Sequence, residues 1–81
     1  MEHQELEAQI LDLLEEIVGD EEVREVRDED LFEIGMLDSM AAIEVLVTIE
    51  EQFGVSIAPT EVEREEMNTV NLIIDRVMER L

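Results

Sequence analysis

An all-α domain is what this sequence predicts: a small four-helix bundle of three longer helices and one short one. Three segments repeat apolar residues at helical spacing, and no segment alternates apolar with polar residues for long enough to make a sheet. Length sets the scale. At 81 residues the chain is expected to form a single domain, 1–81, close to the smallest size that folds without covalent staples. There is no cysteine, so neither disulfides nor thiolate metal sites can help. The apolar residues, 46% of the chain with only two Phe and no Tyr or Trp, must hold the fold by helix packing.

The first helix is expected from about Glu2 to Val18. It places Leu6, Ile10, Leu13, Leu14 and Ile17 on one face, and Gly19 stops it. Residues 20–37 make a long connection, in which Val23 and Val26 reach the core while Asp28, Glu29 and Asp30 face water. Leu31, Phe32 and Ile34 form an apolar patch with a short helical turn, which pins the loop through its own side chains.

The second helix should run from Ser39 to Phe53 and end at Gly54. Residues stepped by 100° put Ala42, Val45, Leu46, Ile49 and Phe53 on one side. Met40, Ile43 and Val47 fall on an adjacent strip that also carries Glu44, Glu50 and Glu51. Burying an unpaired Glu50 is costly, so the first side is core and the second is exposed. An exposed apolar strip rimmed by acids suits docking, and Leu37, Met40, Ile43, Glu44 and Val47 are the candidate partner-docking residues.

Val55-Ser56-Ile57 reads as an extended piece too isolated for a sheet. Pro59 opens a short helix over Pro59 to Arg64. Asn68 or Thr69 caps the last helix, whose face is Val70, Ile73, Ile74, Val77, Met78 and Leu81.

The net charge is −19, with no lysine and five arginines at positions 24, 27, 64, 76 and 80. Such a surface repels phosphate backbones and anionic lipids, which argues against nucleic-acid and membrane-surface binding. It fits partners with basic patches, and it fits simple solubility equally well. No apolar run is long enough to insert in a membrane, and no signal-peptide pattern opens the chain. A cytoplasmic monomer is expected.

Intrinsic catalysis fails on inventory. The single histidine, His3, sits near the terminus, and no lysine could serve as a base for Ser39. Asp28, Asp30 and Glu33 resemble the start of a calcium loop, but the glycine falls at Gly35 and no glutamate closes the loop. A solvated acidic loop is the better account, and no metal is expected.

Asp38-Ser39 is therefore the stretch to explain. Both residues are good N-caps, which is one sufficient reading. Three features favour another, in which Ser39 is a hydroxyl presented for modification. A glycine-hinged apolar loop precedes it, the exposed strip follows it, and a phosphate ester at a helix start meets free N–H groups and the positive dipole end.

Leu31-Phe32-Glu33-Ile34-Gly35-Met36-Leu37-Asp38-Ser39-Met40 resembles the phosphopantetheine attachment motif of the acyl and peptidyl carrier superfamily. Glu50-Glu51-Gln52-Phe53-Gly54-Val55 is similar to the usual end of that superfamily's second helix. Within it, Leu37-Asp38-Ser39-Met40 and the stretch from Glu61 to Asn71 resemble the D-alanyl carrier family, small subunits of the D-alanine–poly(phosphoribitol) ligase system. Met67 stands where that family has an aromatic residue, and Val70 where it has proline.

The resemblance implies a bundle of the acyl-carrier type and a 4′-phosphopantetheine arm on Ser39, with Asp38 positioning the transferase or capping the helix. It also implies three partners: a phosphopantetheinyl transferase, a separate ligase that adenylates D-alanine, and a membrane acyltransferase system serving lipoteichoic acid. The chain is then a non-catalytic carrier of D-alanine thioester. Two alternatives stay open: a stand-alone acyl or peptidyl carrier for lipid or natural-product synthesis, and an unmodified acidic interaction module.

Overall fold

The computed structural model describes residues 2–81. Three α-helices form: α1 His3–Val18, α2 Ser39–Phe53 and α3 Val70–Arg80. Short 3-10 segments at Glu21–Glu25 and Arg64–Glu66 complete the helical content, and no strand occurs among the described residues. The all-α bundle is as expected, with its boundaries at Gly19 and Gly54. Gly54 has φ 69°, a left-handed conformation that lets its N–H close the last turn of α2 on Glu50.

α1 packs against both α2 and α3. Its buried face is Leu6, Ile10, Leu13 and Leu14, which meet Val45, Leu46 and Ile49 of α2 and Val70, Ile73, Ile74 and Val77 of α3 in one core. The side between α2 and α3 is closed by the connecting segment, through buried Ile57, Val62 and Met67. Only a cavity of about 10 Å³ remains there, roughly the room of one water molecule.

Several expectations need correction. The short helix predicted over Pro59 to Arg64 lies later, as one 3-10 turn at Arg64–Glu66. A reciprocal capping box starts that turn: the Glu63 side chain accepts from the N–H of Glu66, and the Glu66 side chain accepts from the N–H of Glu63. The 20–37 connection, read as loop, begins with the 3-10 turn Glu21–Glu25, capped by the Asp20 carboxylate. Val23 at its centre is fully buried, and Arg24 ties it to Asp12 and Glu15 of α1. Residues 31–36 form turns but no helix. Ile17, Val26, Ala42 and Phe53 are only partly buried. Met78 and Leu81 are exposed, because α3 ends at the rim of the bundle.

No helix among the described residues is long and apolar enough to cross a membrane.

Candidate functional site

The loop before α2 is held from two directions. Leu31 is buried completely, and its carbonyl accepts from the N–H groups of both Met36 and Leu37, at 2.9 and 3.0 Å. Its own N–H donates to the Asn68 carbonyl at 2.7 Å, which fastens the loop to the approach of α3. Gly35 takes φ 81°, and a side chain there would meet nothing within 4 Å, so the tip of the loop faces open space. The left-handed conformation is what requires glycine at this position.

Asp30 does more than face water. Its carboxylate is half-buried and accepts from the N–H groups of Phe32 and Glu33 and from the Asn68 amide. Partial desolvation works against its ionisation, but these hydrogen bonds and the charge of Arg64 outweigh it and hold the carboxyl below the usual aspartate range. A second clasp lies beside it. The Arg27 guanidinium donates to the Asn71 side-chain Oδ1 and to Glu7 of α1, and the Asn71 side-chain amide donates to Asp28 at 2.6 Å. Asp28 and Asp30 are thus occupied as hydrogen-bond acceptors. No group of three metal-ligating side chains gathers among the described residues.

Of the two expected cap residues Thr69 is the one that caps α3, its hydroxyl accepting from the Leu72 N–H. The long-range bonds of Arg27, Asn68 and Asn71 were not foreseen in the sequence.

At the start of α2, Asp38 is the N-cap. Its carboxylate accepts from the Ala41 N–H at 2.8 Å, and its carbonyl accepts from the Ala42 N–H. Ser39 is consequently the first helical residue, exposed, with the capping duty already filled by its neighbour. Ala41 and Ala42 donate their N–H groups to Asp38, so those of Ser39 and Met40 are left without an intrahelical acceptor, and no acidic residue follows Asp38 in that turn. An anion on Ser39 would meet those two N–H groups and the positive dipole end, with the Asp38 carboxylate as its acidic neighbour.

The strip beside it is exposed as expected: Met40 at 77%, Ile43 at 49% and Val47 at 48%, with Glu44 exposed among them. Leu37 is not part of it. That side chain is only 4% exposed, where the hydrogen bonds from the Met36 and Leu37 N–H groups to the Leu31 carbonyl fold the chain back on the core. Leu37, expected with the docking residues, offers a partner almost no surface.

On the other flank of Ser39 runs an open groove of about 260 Å³. Ala42 and Ile43 line it from α2, and Phe32, Pro59, Val62 and Arg64 line it from the loops.

Residues 8–77 match the family model described as "Phosphopantetheine attachment site". A D-alanyl carrier protein of Lactococcus lactis subsp. cremoris (strain MG1363) is 48% identical over 75 residues, covering 93% of this chain and 95% of its own length. The chain belongs to the D-alanyl carrier protein family. Similar relatives in that family include D-alanyl carrier proteins of Abiotrophia defectiva, 46% identical over 94% of this chain and 96% of the relative. One from Bacillus velezensis (strain DSM 23117 / BGSC 10A6 / LMG 26770 / FZB42) is 40% identical over 93% and 96%.

Family membership brings a covalent phosphopantetheine arm to this domain. The residues present fit such a group: an exposed hydroxyl at a helix start, the unbonded N–H groups of Ser39 and Met40, and an open groove alongside.

Proposed function

We propose that Ser39 carries 4′-phosphopantetheine and that the domain holds D-alanine on it as a thioester for transfer toward lipoteichoic acid. The observation that supports this best is the division of labour at the start of α2. Asp38 caps the helix, and Ser39, inside the matched region, keeps its hydroxyl exposed.

During attachment the Ser39 Oγ bonds to the phosphorus of coenzyme A that bears pantetheine. The pyrophosphate bond breaks, 3′,5′-ADP leaves, and the Ser39 proton passes to a base on the transferase, which also holds the magnesium. Asp38 fixes the first turn beside the exposed Ser39, and the tip of the preceding loop at Gly35 faces open space that a transferase can enter. Once attached, the arm supplies the thiol that this cysteine-free chain lacks, and that thiol holds the aminoacyl group as a thioester. The chain itself performs no catalysis.

Met40, Ile43 and Val47 give the transferase, the adenylating ligase and the membrane acyltransferase system one shared place to dock. The acidic surface selects partners with basic patches over nucleic acids. The domain acts as a cytoplasmic monomer that does not insert into the membrane.

A carrier that shelters a long acyl chain must open space between α2 and α3, whereas D-alanine needs none beyond the roughly 10 Å³ present. Offering the modified protein to a D-alanine-adenylating ligase and to a fatty-acyl synthetase tests this. A hydroxylamine-labile D-alanyl adduct is expected from the first. Loading by the synthetase alone would reassign the protein as an acyl carrier.

A further inference from the structure

We propose that the groove beside Ser39 is the resting site of the phosphopantetheine arm, with the Arg64 guanidinium holding its phosphodiester. This rests on Ser39 being the attachment point.

Arg64 is distinguished by what it lacks. The chain has 24 acidic residues and five arginines, and Arg24, Arg27, Arg76 and Arg80 each sit within 4.0 Å of at least one carboxylate. Among the described residues Arg64 has no ion pair. Its guanidinium lies over the Phe32 ring instead, with Cζ 4.3 Å from the ring centroid. The ring contact uses none of the guanidinium N–H groups in a hydrogen bond, so they stay available for an anion. Asp30 feels the charge of Arg64 but is already engaged by two backbone N–H groups and the Asn68 amide. The cation is uncommitted.

Its place supplies the ligand. Arg64 and Ser39 line the same open groove, whose remaining walls are the apolar side chains of Phe32, Ile43, Pro59 and Val62, among others. The arm has a matching order of parts: one anionic phosphodiester at the serine, then a carbon bearing two methyl groups, then two amides. Esterification of Ser39 puts the anion in the groove that Arg64 also lines, beside the unbonded N–H groups of Ser39 and Met40. The methyl groups then lie against the apolar wall. A charge-assisted fork of this kind is strong enough to set an orientation.

The arrangement couples the arm to docking. Ile43 belongs both to the groove and to the exposed strip, so an enzyme seated on the strip covers the lip of the groove and competes with the resting arm.

NMR of the modified protein tests this, with intact mass confirming the adduct in every sample. With pantetheine 13C-labelled at its methyl groups, nuclear Overhauser contacts to Ile43 and Val62 are expected. The Arg64 Nε–H signal should shift between unmodified and modified protein. In the adduct-bearing fraction of Arg64→Gln, those contacts should be lost while the amide spectrum stays folded; Arg64→Lys, which keeps the charge, should retain them in part. Absence of the contacts in the modified wild type, or their persistence unchanged in Arg64→Gln, would overturn the proposal. Failure of the Ser39 reading looks different: no adduct forms, or one forms equally in Ser39→Ala.

Discussion

Asp38 and Ser39 are adjacent, polar and individually competent to cap a helix, and the backbone separates their roles. Asp38 has the extended conformation of an N-cap, so its carboxylate reaches the Ala41 N–H, while Ser39 already lies in the helix. Losing that bond should cost about 1 kcal/mol in Asp38→Ala. For a domain of this size that is a fall in Tm of about 4–8 °C, which calorimetry resolves. Asp38→Asn should retain most of it. Glu7 gives a second residue-scale test, through its hydrogen bond to Arg27, which holds its carboxyl below the ordinary value of 4.5 against partial desolvation. The sign follows from linkage: a depressed folded pKa contributes stability that is complete above the unfolded value and disappears as pH falls through the folded one. Glu7→Gln should therefore be less stable than the wild type near neutrality. The gap should close as the pH drops below about 4.5 and the remaining carboxylates protonate. Taking the difference between the two proteins cancels the repulsion among the other acids, which changes over the same range.

At the scale of elements, α2 does two jobs with two faces. Val45, Leu46 and Ile49 face the core, and Met40, Ile43 and Val47 remain outside it. Val47→Glu should leave helicity intact by circular dichroism yet slow loading by the adenylating ligase about tenfold, the scale of one lost interface contact worth over 1 kcal/mol. Parallel losses of helicity and loading would contradict the partition. This partition was legible in the sequence because a 100° step sorts residues without reference to anything beyond the helix. Helix ends were legible too, since glycine and threonine act locally. Leu37 was misplaced because no periodicity applies within a loop; its burial depends on the Leu31 carbonyl gathering two N–H groups. The short helix was misplaced because Pro59 permits a helix start without enforcing one, whereas the Glu63–Glu66 capping box determines where the turn forms. Arg64, Asn68 and Asn71 were beyond reach for a different reason: each acts on residues more than 30 positions away.

At the scale of the whole molecule, a tightly filled core lies under a surface of net charge −19. Electrostatic steering should make association with partners depend on ionic strength, because the Debye length falls from about 10 Å at 0.1 M salt to about 3 Å at 1 M. Stopped-flow association rates with the ligase should drop over that range while dissociation rates change little; a flat profile would leave the acid as a solubiliser. All of this depends on one serine. The most direct test is the intact mass of the protein after incubation with coenzyme A, magnesium and a broad-specificity phosphopantetheinyl transferase, alongside Ser39→Ala. One phosphopantetheine per chain on the wild type and none on Ser39→Ala is the predicted result. An unmodified wild type, with the transferase active on a control carrier, or an adduct that survives in Ser39→Ala, would contradict it.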